Sequence, residues 1–151
     1  MPLDEIAIAS YISERFADVH VLTAHGNYFF YYGPFEGVEN KFPFATLVTN
    51  DEYDQASDLS RPGVFRLNVG VRKETYLSLF GSKAPRAGES GITETGYDYT
   101  ALDTIMPHPI YGPMYWLSVL NPGEETFEKV RSLLAEAYEM DVRKQEKRGK
   151  T

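Results

Sequence analysis

The chain contains no cysteine. Disulfides, thiolate nucleophiles and Cys-ligated zinc are excluded with it, and a reducing cytoplasm is the expected setting. There are three histidines. His20, His25 and His108 show none of the spacings by which a helix gathers metal ligands, so neither a metal nor a cofactor is expected. No apolar run approaches the roughly 20 residues of a membrane span. The opening Met1-Pro2-Leu3-Asp4-Glu5 is acidic and lacks an apolar signal core, so no membrane partner or secretory route is expected. Ser57, Ser60 and Ser78 have no Gly-x-Ser-x-Gly setting, which leaves a serine hydrolase unsupported. Gly88 to Gly96 lacks the strand, spacing and helix of a phosphate loop. The acidic stretch Asp51, Glu52, Asp54, Asp58 lacks the spacing of a calcium loop and reads as a solvated loop.

Positive charge is also scarce. Fifteen Lys and Arg face 22 Asp and Glu, for a net charge of −7. The one basic cluster, Arg143, Lys144, Lys147, Arg148 and Lys150, sits at the C-terminal end. A basic stripe is what phosphate recognition needs. A cationic, solvated helix end accounts for this cluster as well, because cations suit a helix C-terminus.

What the chain has in plenty is aromatic side chains, 14% of its 151 residues. Its organising stretch runs from Arg61 to Gly81. Arg61-Pro62-Gly63 is a turn signal. Phe65, Leu67, Val69 and Val71 then alternate with Arg66, Asn68 and Gly70, the period of a half-buried strand. One face is apolar and must sit on a core; the other carries a cation and an amide. Helical spacing follows (Tyr76, Leu77, Phe80) and stops at Gly81.

Around this stretch the pattern predicts a helix over 4–17, with Ile8, Tyr11, Ile12 and Phe16 as its apolar stripe. Strands are predicted at 19–24 and 28–32, joined by a turn at His25-Gly26-Asn27, and a third at 42–49. The loop 82–100 is expected to be mobile surface. Three prolines exclude regular structure from 106–113. A fifth strand is predicted at 114–120. Asn121 as N-cap, Pro122 at the first helical position and Glu124 open a helix from 122 to about 143. The sum is one α+β domain over 1–143 with a basic tail over 144–151. It has two layers: an antiparallel sheet of about five strands, with the helices packed on one face.

Phe42-Pro43-Phe44-Ala45-Thr46-Leu47-Val48-Thr49, Arg61 to Asn68, Lys73-Glu74-Thr75-Tyr76, Met106-Pro107-His108-Pro109 and Val119-Leu120-Asn121-Pro122 together resemble a bacterial family catalogued as a domain of unknown function. The loop around 82–96 looks like an insertion. The chain is also distantly similar to the MmcQ/YjbR group, in which a late strand bearing Trp, as at Trp116, precedes a terminal helix ending near Ala-Tyr, as at Ala137-Tyr138. That likeness implies a YjbR-like, secretion-chaperone-like sheet, similar to frataxin in architecture, and brings the group's DNA-binding label.

Candidate ligand-binding residues are Arg66, Asn68, His108, Trp116 and Tyr115. A guanidinium on an open sheet face can grip a carboxylate or phosphate, or can pair with the acidic loop. His108, fixed between two prolines, suits a ligand contact or a general base, though the plainer reading is that the prolines set a loop crossing and His108 caps a backbone group. Arg66, Asn68 and His108 are expected on the uncovered side of the sheet, with Trp116 or Tyr115 beside them. Either Phe29 and Tyr31 or the alternate set Tyr28, Phe30 and Tyr32 would share that side. Three functions follow. The first is a non-enzymatic binding module that holds a small anionic ligand, a protein partner or a second copy of itself as a homodimer. The second is a small enzyme with His108 as base and Arg66 as anion clamp. The third is nucleic-acid binding through the basic tail, which the net acidity disfavours.

Overall fold

The computed structural model of the chain describes residues 3–33 and 42–149, with side chains as far as Lys147. The loop expected after Tyr32 lies largely outside the described residues, as do Lys150 and the side chain of Arg148. In chain order the elements are α1 (Glu5–Arg15), β1 (Val19–Ala24), β2 (Asn27–Tyr32), β3 (Ala45–Val48), β4 (Arg66–Gly70), α2 (Lys73–Phe80), β5 (Met106–Pro107), β6 (Trp116–Leu120) and α3 (Glu124–Gly149). The strands form one sheet in the order β1-β2-β3-β4-β6-β5, every neighbouring pair antiparallel. The fold is α+β, as expected, but the sheet has six strands rather than five.

The added strand is β5, inside the segment whose prolines were expected to exclude regular structure. Edge position explains it. Met106 and Pro107 pair only with Ser118 and Leu117 of β6, so the missing Pro107 donor leaves no ladder bond unmade.

Alternation decides the core. Leu67 and Val69 of β4, Leu117 and Val119 of β6, and Ala45 and Leu47 of β3 face the helices, with Ile8 and Ile12 of α1 and Phe127, Val130 and Leu134 of α3 packed on them. A second, smaller core lies on the opposite face, where Val48, Leu59, Met106 and Leu120 are covered by loops. That face is therefore only half uncovered.

The helix ends follow local chemistry. Asp4 caps α1 by accepting from the Ala7 amide at 2.8 Å. Gly81, at φ +81°, closes α2 in the left-handed region that glycine enters without strain. The start of α3 differs from expectation. Asn121 is not its cap: its side chain accepts from the Phe65 amide and donates to the Gly63 carbonyl, tying β6 to the turn before β4. Asp103 takes the capping role from outside the helix, accepting from the Gly123 amide at 2.7 Å, and this bond, with the Thr126 hydroxyl, holds its carboxyl below the usual range. The helix runs past the expected end at 143 to Gly149.

Candidate functional site

The site grows from one row across the sheet. Phe29, Thr46, Asn68, Ser118 and Met106 are register partners on β2, β3, β4, β6 and β5, so they project from the face opposite the helices. The three polar members are linked. Asn68 donates to Thr46 Oγ1 at 2.9 Å, and Ser118 donates to Asn68 Oδ1 at 2.7 Å. Asn68 and Ser118 are buried, and a buried amide without such partners would be costly.

Arg66, two residues before Asn68 and on the same face, is 2% exposed. Its Nε donates to Asn68 Oδ1 at 3.0 Å. Its two terminal nitrogens meet Asp54 in a fork, Nη1 to Oδ1 at 3.0 Å and Nη2 to Oδ2 at 2.8 Å, and Nη1 also donates to Ser57 Oγ at 3.1 Å. Four of the five guanidinium hydrogens are engaged within the protein. Of the two partners open to the fork, an anion or the acidic loop, the structure has the acidic loop, through Asp54. Burial works to raise the Asp54 carboxyl, but the hydrogen bonds and charge of Arg66, with the Ala56 amide, outweigh it and hold the group below its ordinary value.

His108 is 3% exposed. Pro107 and Pro109 fix the backbone on either side, and the His108 amide donates to the Trp116 carbonyl at 3.0 Å, continuing the β5–β6 ladder by one residue. The loop then turns so that the amides of Ile110 and Tyr111 both donate to His108 Nδ1, each at 3.0 Å. An acceptor of two N–H groups carries no hydrogen, so the imidazole is neutral with its proton on Nε2. Burial, then the Arg66 charge, push its pKa well below the ordinary 6.5, against the opposing pull of Asp54. The general-base role does not fit this geometry, because the lone pair that a base would use is the one holding the loop.

The loop itself is braced from outside. Thr93 donates to the Pro109 carbonyl through both its amide (2.7 Å) and its hydroxyl (3.0 Å), and the Tyr99 hydroxyl donates to the Thr93 carbonyl at 2.6 Å. Part of the stretch expected to be mobile surface is thus a strap with a buried threonine.

These groups meet in one cavity of about 320 Å³. Thr46, Asp54, Arg66, Asn68 and His108 supply its polar lining; Phe29, Tyr31, Phe42, Tyr53, Tyr111 and Trp116 supply aromatic walls, with Pro43, Val48 and Ile110 between them. Of the two parities open on β2, Phe29 and Tyr31 line the cavity. Trp116 lies edge-on to His108, ring centroids 6.4 Å apart, and its indole covers Gly70, where an added Cβ would come within 2.8 Å of the ring. Tyr115, the other expected member, is not there. Its backbone is left-handed at φ +67°, and its ring packs against Tyr76 in the helix-side core, 5.7 Å between centroids.

Four of the five expected residues therefore line one concavity, and Tyr115 does not. The sequence did not single out Asp54, Ser57, Tyr53 or Tyr111. The acidic loop was a legible source of an Arg66 partner, but nothing marked which carboxylate would reach it. Among the described residues no three His, Asp or Glu side chains converge as metal ligands, and no described helix is long and apolar enough to cross a membrane.

No curated protein and no solved structure matches the chain. Residues 2–150 match the model of DUF6194, a family of unknown function, and the chain belongs to that family.

Proposed function

We propose that this member of DUF6194 is a small-molecule-binding module, without catalysis of its own, that holds its ligand in the cavity between the sheet and the 106–114 loop. One observation carries the reading: aromatic walls converge on a buried polar lining whose hydrogen bonds are internally satisfied, except for the Nε2–H of His108 and a few remaining hydrogens. Apolar walls with a small number of placed polar groups are the usual make-up of a ligand site, and about 320 Å³ is enough for a compact ligand. Binding is favoured over catalysis because His108 Nδ1 is engaged by two amides and the Arg66 fork by Asp54, which leaves neither a base nor an anion clamp.

A kinship with the MmcQ/YjbR group is part of this reading. It is supported by the Trp116 strand preceding a terminal helix that carries Ala137-Tyr138. A cytoplasmic setting is supported by the absence of cysteine.

Trp116 is the sole tryptophan and lines the cavity, so its emission reports occupancy. Titration with a library of compact aromatic molecules should give saturable shifts in Trp116 emission with matching rises in melting temperature. The melting shifts, but not the emission change, should persist in Trp116→Phe. A library that moves neither signal at millimolar concentration would overturn the proposal.

A further inference from the structure

We propose that the ligand of this cavity is uncharged and flat, with a hydrogen-bond acceptor on the edge that meets His108 Nε2. The inference rests on the binding-module reading and names the chemistry of its ligand.

Charge comes first. Among the described residues, the charged side chains lining the cavity are Arg66 and Asp54, and they neutralise each other in a two-point pair. His108 is neutral, since its Nδ1 accepts two amide hydrogens. An anion would have to displace Asp54 from the guanidinium fork and leave a buried carboxylate unpaired. A cation would meet a carboxylate already engaged by three donors, Nη1, Nη2 and the Ala56 amide. The lining favours neither sign.

Hydrogen-bond polarity comes next. Asn68 Oδ1 already accepts from Arg66 and Ser118, and Thr46 Oγ1 from Asn68. Asp54 Oδ1 accepts from Arg66 and Ala56. The donors of fixed position left over are His108 Nε2–H, one hydrogen on Arg66 Nη2 and one on Asn68 Nδ2, beside the hydroxyls of Tyr31, Tyr53 and Tyr111, which serve either way, and Asp54 Oδ2, which accepts only from Arg66. His108 turns Nδ1 back on its own loop, which leaves the Nε2 edge for the cavity it lines. A donor-rich, net-neutral lining asks for an acceptor such as a carbonyl oxygen or a ring nitrogen. The shape of the ligand follows from the walls, where Phe29, Tyr31 and Trp116 offer ring faces and edges suited to a planar partner.

Three probes of one size and flatness separate these claims by calorimetry on the intact protein. Coumarin is neutral with carbonyl and ring acceptors, naphthalene is neutral without them, and 2-naphthoate is an anion. Coumarin should bind about tenfold more tightly than naphthalene, the factor expected of one buried hydrogen bond, and more tightly than 2-naphthoate. His108→Asn keeps an acceptor where Nδ1 stands and removes the Nε2–H. It should abolish the preference, so that coumarin and naphthalene bind the variant equally, whatever the shared loss from the changed wall. Should that variant not fold, nitrogen-detected spectra of the wild-type imidazole give the same readout: the Nε2–H resonance should shift with coumarin and not with naphthalene. Equal affinity for coumarin and naphthalene, or tightest binding by 2-naphthoate, would overturn the inference while the binding module stands. If none of the three binds at millimolar concentration, the binding reading falls and this inference falls with it.

Discussion

At the scale of single residues, the site depends on which hydrogen sits on which atom. His108 is held neutral in the fold with a pKa well below 6.5, whereas in the unfolded chain it titrates near the ordinary value. Between those two values the unfolded state binds the extra proton, so stability falls as pH falls. The wild type should lose up to about 1.4 kcal/mol per pH unit on acidification below about 6.5, from this group alone. His108→Asn should flatten that slope in denaturant titrations from pH 7 to 4.5; identical slopes would mean that the folded imidazole takes up its proton freely. Asp54 contributes in a separate window. Its lowered pKa adds stability that is present above the usual carboxylate range and lost only as pH drops through and below it. Removing the carboxylate outright leaves Arg66 buried and unpaired, so Asp54→Ala should cost about 3–5 kcal/mol. The double variant Asp54→Leu, Arg66→Met should be more stable than Asp54→Ala, and chemical denaturation of the two would show it. At this scale the sequence was half legible. Alternation placed Arg66 and Asn68 on one face and the flanking prolines singled out His108, but hydrogen-bond polarity depends on how a loop closes. Nothing in Met106-Pro107-His108-Pro109 says that Nδ1 will be met by the amides of Ile110 and Tyr111.

At the scale of elements, periodic segments declared themselves and bridging ones did not. The stripe Ile8, Tyr11, Ile12, Phe16 and the alternation through β4 are local patterns, and the structure follows them. The pairing of β5, the cap supplied by Asp103 and the strap at Thr93 each join positions far apart in the chain, and a linear pattern carries no trace of such contacts. Proline even argued against β5, because an edge strand relaxes a rule that holds inside a sheet. The strap predicts a specific loss. Thr93→Val removes the hydroxyl bond to the Pro109 carbonyl and buries nothing polar in exchange, so it should cost about 1 kcal/mol. It should also speed hydrogen exchange at Ile110 and Tyr111, the amides that His108 holds, while amides of β4 stay protected; unchanged exchange at both would show that the loop stands without its strap.

For the whole molecule, two consequences follow from layer and charge. Leu67 is fully buried where the sheet meets the helices, and Leu67→Ala should cost roughly 2–5 kcal/mol in equilibrium unfolding. A loss below about 0.5 kcal/mol would contradict the packing of that layer. The basic side chains Arg143, Lys144 and Lys147 lie exposed on the last turns of α3, on a chain whose net charge is −7. No binding to duplex DNA is expected at physiological salt, and a filter or anisotropy assay that found tight, salt-sensitive binding abolished by truncation after Val142 would reverse this. The global layering was readable because a two-layer α+β domain needs only alternation and helix stripes. The second core on the far face was not, since its strand residues Val48, Met106 and Leu120 are closed over by Leu59, Val64 and Tyr99 from loops distant in the chain.

The two borders of the sheet also set how the molecule could polymerise. On the β5 side, Pro107 offers no amide and the Pro109 carbonyl already accepts from Thr93, so a foreign strand finds little to pair with. The other border, β1, has six residues and no proline. A sheet with one pairable border can join only another like it, border to border about a twofold axis, and such a union leaves no free end. If, as among the described residues, β1 is the one pairable border, strand-to-strand growth of this protein would stop at two copies, and a fibre built by extending its native sheet would have no second step.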